Sequence, residues 1–164
     1  MLQFIKLGGS LITDKHQPRA VKADVIASLM DQIRLSREEH PDLQMILGHG
    51  SGSYGHVPAK QHNTRAGVRT PEDWQGFVEV WRQARDLNNI VLEAMHAAGL
   101  PAFAFPPSAW LQSNQGRATT WNLDPLRSAL AANLIPVVNG DVVFDHSLGG
   151  TIFSTEEVFS VIAP

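Results

Sequence analysis

Ile5-Lys6-Leu7-Gly8-Gly9-Ser10 and Gly48-His49-Gly50-Ser51-Gly52-Ser53-Tyr54-Gly55-His56 decide the reading of this chain, because each sets a glycine-rich turn directly after an apolar, strand-like run. Without a Cβ, glycine lets backbone N–H groups converge on an anion. Two such turns in one domain predict two phosphate sites facing each other, the geometry that a phosphoryl transferase needs. Lys6 ends the first strand, Lys15 lies just past its loop and His56 closes the second. A lysine at the carboxyl end of the first strand of an open α/β sheet points into the crevice where such folds bind ligands. On spacing alone, Lys6 reads equally as a strand-end side chain reaching for solvent.

Outward from these turns, apolar strand candidates recur at residues 2–7, 43–47, 102–105 and 135–138, with room for helices between them. This alternation predicts an α/β fold, a three-layer αβα sandwich with a mainly parallel central sheet. A helix over 22–39 carries Val25, Ile26, Leu29, Met30 and Ile33 as its apolar stripe and stops at His40-Pro41. A second, over 71–98, starts with Thr70 as cap and Pro71 in its first turn, and Gly99-Leu100-Pro101 ends it. Its periodic residues are Trp74, Phe77, Val78, Trp81, Leu87, Val91, Leu92 and Met95. The aromatic start of that stripe reads first as core and alternatively as a pocket wall. The polar, basic stretch 60–69 reads as an exposed loop or hairpin over the second glycine turn, placed to act as a lid. Residues 141–145 and 149–153 form a hairpin pattern, followed by a helix start at Ser154-Thr155-Glu156-Glu157. The chain stops soon after that start, so the N-terminal part of a longer protein is expected.

At 164 residues and 43% hydrophobic content, a single domain over 1–164 with its own core is expected. A formal net charge of -3 carries no electrostatic footprint for nucleic acid or an acidic membrane, which leaves small molecules and protein as partners. The lack of cysteine excludes disulfides, thiolate metal sites and a cysteine nucleophile, and fits a cytoplasmic address. No apolar run approaches the roughly 18 residues that span a bilayer. Residues 1–5 lack the basic start and long apolar core of a secretion signal and read as strand.

Gly50 to Gly55 satisfies G-x-G-x-x-G, but the acidic residue that a dinucleotide site needs about 20 positions on is replaced by basic and then helical sequence. No G-x-x-x-x-G-K-[ST] loop and no protein-kinase motif set occurs. The seven histidines form no metal-ligand pattern. His16, His40, His62, His96 and His146 read as structural or surface residues and His49 as a packing residue. His56 differs, since it ends the glycine segment, where an imidazole can donate to a phosphate oxygen.

With these residues in place, the chain resembles the amino acid kinase superfamily and, within it, the isopentenyl phosphate kinase family. The segment from Ile5 to Lys15 resembles that family's opening strand and nucleotide-phosphate loop. Gly48 to His56 is similar to its G-G-G-S-F-G-H segment, and Asn139-Gly140-Asp141 with the following strand to its glycine-aspartate hairpin. The resemblance covers the N-terminal two thirds of the family's length; the missing C-terminal part would supply much of the adenine pocket and another phosphate-binding lysine.

The resemblance implies ATP-dependent phosphorylation of isopentenyl phosphate, with Mg2+ carried on the nucleotide and a homodimer as the assembly. It implies that Lys6, Leu7, Gly8, Gly9, Ser10 and Gly52 bind ATP, that Gly50, Ser51, Gly55, His56 and Thr155 hold the acceptor, and that Lys15 neutralises charge in transfer while Asp141 organises the lysines. Trp74, Phe77 and Trp81 would lie near the isoprenoid tail. Ser51 stands where the family has a middle glycine, and Ser154-Thr155-Glu156-Glu157 where it has S-G-D-D. A backbone N–H survives both changes, and the acidic pair keeps its charge. The alternatives are a kinase of another small phosphate or phosphonate such as fosfomycin, and a non-catalytic ligand-binding module.

Overall fold

In the computed structural model, which describes residues 1–14 and 17–163, the first glycine turn is mostly helix. Strand β1 (Leu2–Leu7) passes through Gly8 into the short helix α1 (Gly9–Ile12). After α2 (Ala23–Glu39) the passage repeats: β2 (Gln44–His49) runs through Gly50 and Ser51 into α3 (Gly52–Gln61). The segment expected as a loop over 48–56 is therefore a strand end, a two-residue turn and the start of a helix. A 3-10 turn, Thr64–Ala66, leads to α4 (Pro71–Ala97). Then come β3 (Ala102–Ala104), a 3-10 turn at Pro107–Ala109, β4 (Leu111–Asn114), β5 (Arg117–Trp121) and α5 (Asp124–Ala131). The described chain closes with β6 (Ile135–Asn139), β7 (Asp141–Asp145), β8 (Gly149–Phe153) and α6 (Thr155–Ile162).

The first sheet has the order β1-β2-β6-β3, and all its pairs are parallel. Alternation along β2 divides the core, as a period of two requires. Met45 and Leu47 join Ile26, Met30 and Ile33 of α2 and Leu87, Val91 and Met95 of α4. Ile46 joins Leu126 and Leu130 of α5 and Val158 and Ile162 of α6 on the other face. Helices thus cover both faces of a parallel sheet, the three-layer arrangement that the alternation of elements predicts.

A second sheet, β5-β4-β7-β8, was not anticipated in its β4–β5 half. β4 pairs with β7 in parallel, and the other two pairs are antiparallel. Gly140 alone separates β6 from β7, so one residue carries the chain from the first sheet into the second. Buried Asp145 ties the β4–β5 hairpin to the β7–β8 turn. It accepts hydrogen bonds from Ser113 Oγ at 2.7 Å and from the backbone N–H groups of Gln115, Gly116, Ser147 and Leu148 at 2.8–3.1 Å. Burial opposes its charge, but these donors outweigh it and take its pKa down to about 2.

α4 starts as its sequence requires. Thr70 accepts from Asp73 N–H, Asp73 Oδ2 accepts from Thr70 N–H, and Pro71 occupies the first turn. Val78, expected on the apolar stripe, is 56% exposed, while Gly76, Val80 and Ala84 are buried instead. No helix among the described residues is long and apolar enough to cross a membrane.

Candidate functional site

Parallel pairing sets Lys6 opposite Gly48 and Leu7 opposite His49, so the two glycine turns leave the first sheet at the same level. They then pack backbone against backbone. A Cβ on Gly9 would lie 2.6 Å from Gly52 N, and one on Gly50 would lie 2.9 Å from Gly9 N. Gly52 also adopts φ +49, the left-handed region. Any side chain at Gly9 or Gly52 would push the two turns apart.

Two cavities flank this contact, and they share Lys6, Gly9 and His56. The larger, about 600 Å3, is lined further by Gly8, Ser10, Gly52 and Ser53 with Pro18 and Val57. The other, about 440 Å3, is lined by Gly50, Ser51, Gly55, Lys60, Asn63 and Arg65 on the α3 side, and by Gly140, Asp141 and the start of α6 opposite. Ala59, Val80, Ala84 and Ile152 give it an apolar wall. One cavity thus combines cationic groups and helix-start N–H groups with a hydrocarbon surface, which suits an amphiphilic anion.

Most of the residues expected at the site come together here. Lys6, Gly8, Gly9, Ser10 and Gly52 line the larger cavity, and Gly50, Ser51, Gly55, His56, Asp141 and Thr155 the smaller. Leu7 lines neither: it is core, and its carbonyl accepts the Gly50 N–H at 3.0 Å. Lys15, like His16, lies outside the described residues. Ser51 makes no capping hydrogen bond with its side chain at the start of α3. The Thr155 hydroxyl donates to His49 O at 2.7 Å, which leaves its backbone N–H in the first turn of α6 for a ligand.

Asp141 does not touch Lys6. Its carboxylate accepts from Ser108 Oγ at 2.8 Å and from its neighbour's Val142 N–H at 2.8 Å. It is 2% exposed, and burial outweighs those bonds and raises its pKa to about 6. The carboxylate on Lys6 is that of Glu156, 2.7 Å away, and the hydrogen bond from Lys6 holds Glu156 below the usual carboxylate range. Its neighbour Glu157 pairs with Arg65 at 2.7 Å and completes the α6 capping box, taking Ser154 N–H at 2.6 Å. The helix start thereby holds two cations of the cavity at once. The signal for this lay in Ser154-Thr155-Glu156-Glu157, an N-cap followed by two acids, but the sequence does not say which lysine they meet.

Two other expectations change, while His40, His49, His62, His96 and His146 stand as read. The stretch 60–69 is mostly exposed, as expected, but it is no hairpin and no free lid: it ends α3, forms the 3-10 turn and continues as a loop, with Thr64 and Val68 buried. Val68 N–H donates to Leu148 O at 2.7 Å and Thr151 Oγ1 to Arg65 O at 3.0 Å, so the segment is a fixed wall of the smaller cavity. Trp74 and Phe77 pack against Phe144 in tilted contacts with ring centroids 6.0 and 5.3 Å away, and with Trp81 they belong to a separate core around Val68 and Val142. They line neither cavity; Val80 and Ala84 of the same helix line the smaller one. Small residues such as Val80 and Ala84 carry no chemical signal in the sequence, so only the packing of α4 against β7 and β8 marks them as lining. His49 packs in the core, with Nε2 2.9 Å from Asn88 Oδ1 and burial lowering its pKa. His62 meets Glu79 at 3.3 Å and His96 meets Ala102 O at 2.8 Å, while His40 and His146 are exposed.

Residues 1–164 match the model of the amino acid kinase family. The isopentenyl phosphate kinase of Methanocaldococcus jannaschii is 29% identical over 169 residues, which cover 99% of this chain and 64% of that protein. That of Methanothermobacter thermautotrophicus is 34% identical over 148 residues, covering 87% of this chain and 54% of that protein. Among solved structures, one of an isopentenyl phosphate kinase superimposes with a TM-score of 0.89 at 29% identity, covering 99% of this chain and 68% of that one. A product complex of the Thermoplasma acidophilum isopentenyl phosphate kinase gives 0.84 at 29%, covering 99% and 64%. The chain thus spans 64% and 54% of the length of the Methanocaldococcus jannaschii and Methanothermobacter thermautotrophicus proteins.

Proposed function

The chain belongs to the amino acid kinase family, and from that premise we propose that it forms the acceptor site and the first part of the donor site of an ATP-dependent isopentenyl phosphate kinase. The observation that carries this reading is the wall of Lys6, Gly9 and His56 shared by two cavities, one of them lined by both cations and hydrocarbon. An acceptor that is itself a phosphate is already ionised near neutral pH, so no base has to remove a hydroxyl proton. Transfer then needs charge neutralisation and alignment. An oxygen of the acceptor phosphate attacks the γ-phosphorus of ATP, the bond from that phosphorus to the β,γ-bridging oxygen breaks, and ADP leaves.

In this reading the N–H groups of Gly8, Gly9 and Ser10 take nucleotide phosphate, and Lys6, aligned by Glu156, neutralises the group in transit. His56, Ser51 and the α6 start hold the acceptor phosphate. Ala59, Val80, Ala84 and Ile152 receive the prenyl tail, a surface that favours isopentenyl phosphate over a short phosphonate such as fosfomycin. Magnesium enters bound to the nucleotide. A homodimer and a cytoplasmic address complete the reading, the first from the family resemblance and the second from the absence of cysteine.

The test is turnover by the longest natural form of the protein with ATP, magnesium and a panel of isopentenyl phosphate, dimethylallyl phosphate and fosfomycin. Isopentenyl phosphate should give the highest kcat/KM. His56→Ala should raise its KM by about 10- to 100-fold, the range expected for a hydrogen bond to a charged group. Preference for fosfomycin, or an unchanged KM in the variant, would overturn the acceptor assignment.

A further inference from the structure

The two glycine motifs are joined by one buried side chain that lines neither cavity. Thr13 follows α1 and is 0% exposed. Its hydroxyl donates to Gly9 O at 2.7 Å and accepts the Ser53 N–H at 3.0 Å. One oxygen thus binds the first motif at its second glycine and the second motif one residue past Gly52. Ser53 lies in the first turn of α3, whose early N–H groups have no acceptor within the helix. Thr13 supplies one from outside. It is itself held in place, its N–H donating to Gly9 O at 2.9 Å and its backbone bridging Val21. The positive φ of Gly52 turns that residue against Thr13, where a Cβ would collide with the hydroxyl.

We propose that Thr13 is a positioning residue for phosphoryl transfer: its hydroxyl sets the distance between the turn that takes the donor phosphates and the helix that carries Gly55 and His56 to the acceptor. This rests on the functional reading above. The reasoning is geometric. Donor and acceptor groups sit on separate strand-to-helix passages, and their mutual placement decides the alignment of the reacting atoms. A shift of about 1 Å at such a junction costs up to about 100-fold in rate. Substrate contacts made within one passage alone would survive it.

Thr13→Val keeps the volume and removes the hydroxyl; Thr13→Ser keeps the hydroxyl. In the longest natural form of the protein, kcat with ATP and isopentenyl phosphate should fall about 10- to 100-fold in Thr13→Val, with the acceptor KM within about threefold of wild type, and Thr13→Ser should recover most of kcat. Amide hydrogen exchange at Ser53 should accelerate in Thr13→Val and return towards wild type in Thr13→Ser. A competent wild type whose Ser53 exchange is unchanged in Thr13→Val overturns the clamp, and faster exchange with kcat within about twofold overturns its role in transfer. Loss of fold in both Thr13→Val and Thr13→Ala replaces positioning with a purely structural role. A wild type that phosphorylates none of the acceptors removes the functional reading and this inference with it.

Discussion

Asp141 and Glu156 both line the smaller cavity, and their surroundings push them in opposite directions. Glu156 is held below the usual carboxylate range because Lys6 sits on it; Asp141, whose burial outweighs the hydrogen bonds from Ser108 and Val142, holds its proton up to about pH 6. The raised value makes Asp141 a cost to stability at neutral pH. Below about pH 3.8 the carboxyl is protonated in folded and unfolded chains alike and contributes nothing. Between there and about pH 6 the unfolded chain releases its proton while the folded one keeps it, so stability falls as pH rises, by up to about 3 kcal/mol, and the loss is constant above. Asp141→Asn mimics the protonated carboxyl, its Oδ1 accepting the Val142 N–H and its Nδ2 donating to Ser108 Oγ, and should therefore match wild type at pH 4 and exceed it at pH 7.5. Urea unfolding at a series of pH values checks this, and equal stability at pH 7.5 would refute it. Lys6, His56 and the glycines are legible as candidate residues because their types and spacing carry chemistry, and they line the two cavities. The carboxylate that meets Lys6 is not legible, since the partner of a lysine depends on how β8 delivers α6 to the end of β1.

At the scale of elements, legibility followed local signals. α4 announces itself through Thr70, Pro71 and a long apolar period, and α6 through Ser154 with acids behind it. The β4–β5 hairpin has no such pattern: Leu111–Asn114 and Arg117–Trp121 are short and mostly polar, and β5 is largely exposed. Its one clue is Gln115-Gly116, both with positive φ, the kind of pair that closes a tight hairpin. The glycine turns have a second purpose that their pattern does not show. Gly9, Gly50 and Gly52 serve close backbone packing between the motifs as much as access for an anion. The α6 cap links element to site, because the helix it starts presents Thr155, Glu156 and Glu157 to the cavity and to Arg65. Ser154→Ala should cost about 1 kcal/mol, the usual worth of an N-cap, and lower Tm by about 2–4 °C for a chain of this size. It should also weaken acceptor binding in calorimetry. A stability loss with unchanged acceptor affinity would show that α6 holds its place without its cap.

For the molecule as a whole, strand alternation foretold the parallel sheet with helices on both faces, but not that a second sheet would hang from it at Gly140. That corner has only one residue, and its consequence is long-range: it brings Asp141, Ile152 and Ser154 over the ends of β1 and β2. The two sheets are unequally secured. β6 is buried along its whole length between β2 and β3, whereas β5 is an edge strand that pairs with β4 alone. Since local opening energies run from near zero at exposed edges to the global value in the core, the amides of Val137 and Val138 should exchange only on global unfolding. Those of residues 118–120 should exchange faster by about two orders of magnitude or more. Ligand linkage then separates site from scaffold. On the proposed reading, isopentenyl phosphate stabilises only states in which its site is formed, so near saturation it should slow exchange in the first turns of α3 and α6 and in the β6 core. Exchange in β5, which opens without disturbing the cavity, should not respond. Native-state hydrogen exchange with and without the acceptor measures both. Equal slowing of β5 would mean that the hairpin opens together with the site, and that the sheets unfold as one unit joined at Gly140.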